Sequence, residues 1–382
     1  SAHLRSDEDN VLAVRLDNPA DSSRWYPGSG LYRHVWLELT PALRFAPDEV
    51  FVSTPAISPE QAIVQIDMVI EAGATDADEC ELTTTVHALS ATGEPEPESV
   101  ATSPVLKLTP GPIAHRQACR SQNVVVPQPR LWDVEAPSRY VAISRLSVGG
   151  KVVDEVSTPF GIRSIAFTPE DGFHLNGRRV QIKGVCLHHD LGALGAAFNE
   201  TAAARQLRIL RAMGCNAIRT AHNPPAPGLL DLCDRLGFLV MDEAFDCWRL
   251  AKTDHDYARW FDDWHDRDLR AMIRRDRNHP CVILWSIGNE ILDLLHDSEG
   301  WKTARQLAGI VRKEDRTRPV TMGCNFEHTA EQGIQTVVDV IGYNYKPWAY
   351  ASLRQRFPLL PVYGSETSSC ISSRDTYFFP VS

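Results

Sequence analysis

At 382 residues the chain exceeds one average domain and sets an expectation of about two or three. It is 43% hydrophobic and 23% charged, an ordinary globular composition, and no run of about 18 apolar residues marks a membrane span. The net charge of −10, with its basic residues scattered, excludes a nucleic-acid-binding footprint.

Two alternating runs open the chain, NVLAVRLDNP and GLYRHVWLEL, around the turn-rich PADSSRWYPGSG. Two strands that end a sheet bury no core of their own, so residues 1–40 read as the tail of a larger β-domain. The chain begins at Ser1 without Met and without a signal peptide, and reads as processed or partial. Its compartment is left open, with a periplasmic or secreted location favoured.

Residues 41–160 carry short strands and turns. Val64, Ile66, Met68 and Ile70 alternate with Gln65 and Asp67, the period of a half-buried strand. LTTTVHAL and YVAISRLSV repeat the pattern around Pro- and Glu-rich turns such as GEPEPES, which predicts a β-sandwich.

From about residue 161 to 382 strands alternate with helices: VQIKGVC, TAAARQLRILRAMG, NAIRTA, GLLDLCDRLG and FLVMDEA. Leu207, Leu210 and Met213, with Ile209, are expected to form the apolar face of the first helix, and Gly214 and Gly237 to close the first two helices. CVILWSIGN, PVTMGC, VVDVIGYNY and PVYGSET add four more strands. Seven parallel strands with intervening helices point to a (β/α)8 TIM barrel. An eighth is not evident; 222 residues fall short of the roughly 250 typical of the fold, so the barrel is expected to be cut short after strand seven.

The active site of such a barrel lies at the C-terminal ends of its strands. Here those ends turn polar: His188-His189-Asp190, Arg219-Thr220-Ala221-His222-Asn223, Asp242-Glu243, Asn289-Glu290, Tyr343-Asn344-Tyr345 and Glu366. A helix cap explains one such ending but not six. Glu290 and Glu366 are isolated carboxylates on strands four and seven, and a carboxylate pair across a barrel mouth is the tool of glycoside hydrolysis. A solvated loop acid is the bland alternative for either one alone.

Two other readings compete. His188, His189, Asp190 and His222 offer ligands for a metal-dependent hydrolase, although adjacent histidines at a strand end point to opposite faces. The chain also fits a binding module or an inactive fragment. The nine cysteines contain no C-x-x-C pair, and Cys186 and Cys281, in apolar runs, read as buried free thiols.

DRNHPCVILWSIGNE (276–290) resembles the acid/base signature of family 2 glycoside hydrolases, the β-galactosidases, β-glucuronidases and β-mannosidases. NAIRTAHNPPAPGLLDLCDRLGFLVMDEA (216–244) is similar to the family's other signature, departing at Asn223, where Tyr is commoner. WYPGSGLYRHVWL resembles the end of its jelly-roll sugar-binding domain, and PRLWDVEAPSRY and PFGIRSIAF its immunoglobulin-like domain and the step into the barrel.

The resemblance implies Glu290 as general acid/base and Glu366 as nucleophile of a retaining exo-β-glycosidase. The two acids then need opposite states at rest, Glu290 protonated and Glu366 ionised. It places Asn289 on the sugar 2-hydroxyl, Arg219 and Tyr345 beside Glu366, and Asp190 and His222 on sugar hydroxyls. Trp248 and Trp285 are candidate platforms for a sugar face, with core packing the alternative for Trp285. The substrate expected first is a terminal β-galactoside, since KGVCLHHDLGALGAAF looks most like β-galactosidase members; β-glucuronidase or β-mannosidase activity is the alternative. This chemistry calls for no cofactor, metal, nucleic acid or membrane, and oligomerisation is left open.

Overall fold

The structure, a computed structural model, describes residues 4–5, 7–18, 30–72, 79–108, 117–296 and 299–369. Residues 7–18 and 30–40 form no strand, which corrects the reading of NVLAVRLDNP and GLYRHVWLEL as far as these are described. Alternation becomes a strand only where backbone groups find a neighbour to pair with. Here Val11, Leu12, Trp36 and Leu37 stay exposed. Tyr32 and Arg33 do reach across: Tyr32 O accepts from Phe198 N at 3.2 Å, and Arg33 donates to the carbonyls of Pro224 and Pro225 at 2.7 and 3.2 Å.

The sandwich follows. Its strands are β1 (Leu43–Ile57), β2 (Gln61–Ala72), β3 (Cys80–Leu89), β4 (Pro95–Thr102), β5 (Leu106–Leu108), β6 (Gln117–Pro127), β7 (Tyr140–Val148) and β8 (Lys151–Phe160). One antiparallel sheet runs β1-β2-β6 and the other β4-β3-β7-β8, with β5 on β3. Period-two alternation sends Val64, Ile66, Met68 and Ile70 inward to join Leu82, Val86, Ala142 and Leu146 in one buried cluster. Asn278 ties this sandwich to the barrel: its amide accepts from Val52 N at 2.8 Å and donates to Val50 O at 2.7 Å, as a strand neighbour would.

A small antiparallel sheet, β9 (Ile165–Thr168), β10 (Gly172–Leu175) and β11 (Arg178–Arg179), leads into the barrel. Phe173 and Leu175 enter the barrel's own core. Seven parallel strands then pair in sequence order: β12 (Gly184–Leu187), β13 (Ala217–Thr220), β14 (Leu239–Glu243), β15 (Val282–Asn289), β16 (Val320–Cys324), β17 (Ile341–Asn344) and β18 (Val362–Glu366). Every residue of β13 through β17 is buried, as parallel strands covered on both faces require. Among the described residues no eighth strand joins β12 to β18. The two edges still approach, with Cys186 Sγ 3.5 Å from Ser365 O.

The helices are α1 (Glu200–Ala212), α2 (Pro227–Leu236), α3 (Phe261–Asp276), α4 (Asp293–His296), α5 (Gly300–Glu314) and α6 (Ala349–Arg356). Asn199 caps α1 by accepting from Ala202 N. The buried face of α1 is Ala203, Ala204 and Leu207; Ile209 and Met213 are exposed, contrary to the predicted face. Two alanines let the helix lie close to the sheet, and a pattern weighted toward large side chains misses them. Gly237 ends α2 in the left-handed region at φ 68°, where a Cβ would stand 2.4 Å from Val134 O. Among the described residues no helix is long and apolar enough to cross a membrane.

Candidate active site

The polar strand ends converge at the C-terminal mouth because every barrel strand runs the same way. Their centre is Arg219, at the end of β13 and 4% exposed. Its Nε and Nη2 meet the Glu243 carboxylate at 2.8–3.1 Å, its Nη2 donates to Asn289 Oδ1 at 2.8 Å, and its Nη1 donates to Glu366 Oε1 at 2.5 Å. Nη1 also lies 3.5 Å from Cys186 Sγ. All five guanidinium hydrogens thus have protein acceptors. Arg219 thus stands beside Glu366 as the resemblance implies, with its hydrogens committed to protein acceptors.

Glycine makes this convergence feasible. A Cβ at Gly323, on β16, would fall 2.8 Å from Arg219 Nη2 and 3.0 Å from Asn289 Oδ1. Any side chain there would separate the guanidinium from strand four.

Glu366 closes β18. Burial alone would raise its carboxyl pKa, yet the Arg219 charge and the hydrogen bonds from Tyr345 and Arg219 hold it below the usual carboxylate range. Tyr345 grips this residue twice, with its hydroxyl 2.5 Å from Oε2 and its backbone N 2.6 Å from the Glu366 carbonyl. His222 Nε2 lies 3.7 Å from Oε1.

Glu290 follows the last residue of β15 and is half-buried. It lies at φ 45° and Tyr345 at φ 56°, left-handed conformations that non-glycine residues avoid. Backbone bonds enforce both: Glu290 N donates to Gly323 O at 2.8 Å, and Tyr345 N is already committed to Glu366.

Asn344 links the two acids. Its Nδ2 lies 3.0 Å from Glu290 Oε1, Glu366 Oε1 and Asn289 Oδ1 alike, while its Oδ1 accepts from Ser365 Oγ at 2.6 Å. Two oxygens each 3.0 Å from one nitrogen are no more than about 6 Å apart. That bound accommodates the roughly 5–5.5 Å between the carboxyl groups of retaining enzymes.

Glu243 was visible in the sequence only as one more acid at a strand end. It is fully buried, accepts from Arg219, from Ser286 Oγ at 2.7 Å and from His222 Nδ1 at 2.7 Å. Burial works against its charge, but Arg219, then His222 and Ser286, bring its pKa down to about 2. Its neighbour Asp242 points the other way, toward Asp276 of α3, and burial beside that acid pushes its pKa well up. Adjacent strand residues face opposite sides, and sequence alone does not say which side is which.

Neither tryptophan considered as a sugar platform reaches the site. Trp248 is fully buried, donates Nε1 to Ile287 O at 2.9 Å and packs near Phe261, so it offers no face to a sugar. Trp285 is equally buried and donates to Asp315 at 2.8 Å. Asn289 is 1% exposed; its Oδ1 serves Arg219 and Asn344 and its Nδ2 donates to Asp246 at 3.1 Å. Asp190 caps its own turn through Gly192 N at 2.8 Å. With His222 and Asp246, Asp190 lines an open depression of about 1560 Å³ that meets the network at those two residues.

The histidines do not gather as a metal set. His189 Nδ1 faces Asn223 Oδ1 at 3.2 Å, and the His188 and His222 rings meet edge to face at 5.2 Å. Burial, with His222 and His189 nearby, lowers His188 to about 4. Asp234, His279 and Cys281 do cluster, at the opposite end of the strands, but Asp234 already accepts from His279 Nδ1 at 2.6 Å and Cys281 N at 2.9 Å.

Comparison with known proteins agrees with this architecture. Residues 168–361 match the family model "Glycosyl hydrolases family 2, TIM barrel domain" and residues 48–163 match "Glycosyl hydrolases family 2". A β-galactosidase of Bacteroides ovatus, BoGH2A, is 40% identical over 99% of this chain and 47% of its own length. A β-glucuronidase of Bacteroides fragilis is 29% identical over 59% of the chain and 32% of its own. A family 2 member from Bacteroides cellulosilyticus superposes with a TM-score of 0.82 at 39% identity, covering 90% of this chain and 43% of that one. The Bacteroides uniformis β-glucuronidase structure gives 0.70 at 26% identity, covering 85% and 41%. The chain therefore spans less than half the length of these relatives. Sandwich, parallel barrel and matched models together establish that the chain belongs to glycosyl hydrolase family 2.

Proposed function

We propose that the protein is a retaining exo-β-glycosidase acting on terminal β-galactosides. The observation that carries this reading is the pairing of Glu290 and Glu366 through one amide nitrogen, with only Glu366 in direct contact with Arg219. Glu366, held ionised by Arg219 and Tyr345, attacks the anomeric carbon while Glu290 gives its proton to the departing oxygen. The resulting glycosyl ester is hydrolysed by a water that Glu290, now a carboxylate, deprotonates. Asn289 is the partner for the sugar 2-hydroxyl, and His222 and Asp190 face hydroxyls from the rim.

A galactoside is favoured by the 40% identity to the Bacteroides ovatus β-galactosidase over nearly the whole chain. Similarity to β-glucuronidases makes the glucuronide the second reading.

A panel of aryl β-glycosides, assayed on the protein as its gene encodes it, tests the choice of sugar. A preference for the glucuronide overturns the galactoside assignment. Glu290→Gln tests the acid: turnover of substrates with poor leaving groups should fall far more than that of activated aryl glycosides. Equal losses on both count against its role.

A further inference from the structure

Among the contacts by which the loop after β14 folds back onto the end of β15 is one ion pair. Lys252 Nζ donates to Asp246 Oδ1 at 2.8 Å and to the backbone carbonyl of Asn289 at 2.9 Å. The same Asp246 oxygen accepts from Asn289 Nδ2 at 3.1 Å. Side chain and peptide of Asn289 are therefore held by two partners that hold each other.

These charges are largely withdrawn from water, at 9% exposure for the Lys252 side chain and 17% for Asp246. A buried ion pair is a poor device for loop closure, because desolvation offsets most of its attraction. The loop is fixed by other means: Asp256 Oδ2 accepts from Lys252 N at 2.7 Å and Thr253 N at 3.0 Å, and its Oδ1 accepts from Ala258 N at 3.0 Å. The pair's contacts lead to Asn289.

We infer that Asp246 and Lys252 form a positioning couple for Asn289. Arg219 and Asn344 occupy the Asn289 oxygen, and Asp246 takes one of the two Nδ2 hydrogens. The other hydrogen is left for a ligand hydroxyl, and Asp246 fixes the plane in which it points. Lys252 holds the peptide oxygen just ahead of the left-handed turn at Glu290. Neither residue touches the reacting atoms; both act through Asn289. The inference rests on the glycosidase reading and on Asn289 as the partner of the 2-hydroxyl.

The test compares Asp246→Asn, Lys252→Met and Lys252→Arg on the preferred aryl β-glycoside and on its 2-deoxy analogue, with thermal melting of each variant. Displacing a substrate-positioning group by about 1 Å costs on the order of 100-fold. Asp246→Asn and Lys252→Met should thus lose about 10- to 100-fold in kcat on the glycoside, with smaller changes in KM. On the 2-deoxy analogue the same variants should fall within about threefold of wild type, because the contact they disturb is already missing. Lys252→Arg should recover part of the loss. If Lys252→Met does not fold, the near-isosteric Asp246→Asn carries the comparison. Equal losses on both substrates, or no loss on either, overturn the couple. A wild-type protein that turns over no aryl β-glycoside overturns the glycosidase reading, and the couple with it.

Discussion

Replacing Glu243 by Gln isolates the buried acid beneath the site. The substitution keeps shape and volume but removes the charge facing Arg219, leaving the guanidinium with Glu366 as its remaining anionic partner. The Glu243 carboxyl pKa is brought from an ordinary 4.5 down to about 2. At 1.36 kcal/mol per unit, the ionised state of this fully buried group stabilises the fold by about 3 kcal/mol at neutral pH. Removing one partner of a buried pair costs about 3–5 kcal/mol, which brackets the same figure. The sign follows from the depressed pKa: this stability is complete above pH 4.5 and is lost as pH falls through about 2. Urea unfolding at pH 7 and pH 3 should therefore give a wild-type advantage of about 3–5 kcal/mol that shrinks by about 2 kcal/mol at the lower pH. An advantage below about 1 kcal/mol at pH 7, or one that does not change with pH, refutes the reasoning.

Two further substitutions separate chemistry from packing. Tyr345→Phe removes a hydrogen bond to the ionised form of Glu366 worth about 1.5–3 kcal/mol, so the Glu366 pKa should rise. The acid limb of the kcat/KM profile should move to higher pH, and an unmoved limb counts against the contact. Trp248→Phe loses the bond to Ile287 O and some buried volume, lowering stability by about 1–3 kcal/mol in urea unfolding. The kcat/KM of its folded fraction should not change; a lost glycoside affinity at full stability would return Trp248 to the sugar site.

Most of the barrel was legible because its strands are apolar runs that end in polar residues, and parallel packing makes that grammar uniform. Glu290 and Glu366 stand out as lone acids at strand ends, Asn289 and Tyr345 enter through the family resemblance, and the structure brings all four onto one network. The direction of individual side chains was not legible. Glu243 and Asp242 are adjacent acids on one strand, yet one meets Arg219 and the other faces α3. Trp248 lies just past β14, where a ring can point to the cavity or the core, and hydrogen bonding to Ile287 O decides for the core. Asp246 and Lys252 belong to a loop with no periodic pattern, so only coordinates join them to Asn289. The opening strand-like runs failed for the opposite reason: their alternation was clear, but pairing partners are not present among the described residues.

The amide of Asn344 carries two hydrogens but lies equally near three oxygens. Its bonding is therefore a shared ration rather than a fixed set. Under the proposed double displacement, esterification of Glu366 weakens one acceptor just as proton loss strengthens another, Glu290. The same nitrogen can then turn its hydrogen from the first acid to the second without any backbone movement. One side chain on strand six thus lets the anionic charge change places while the barrel stays still.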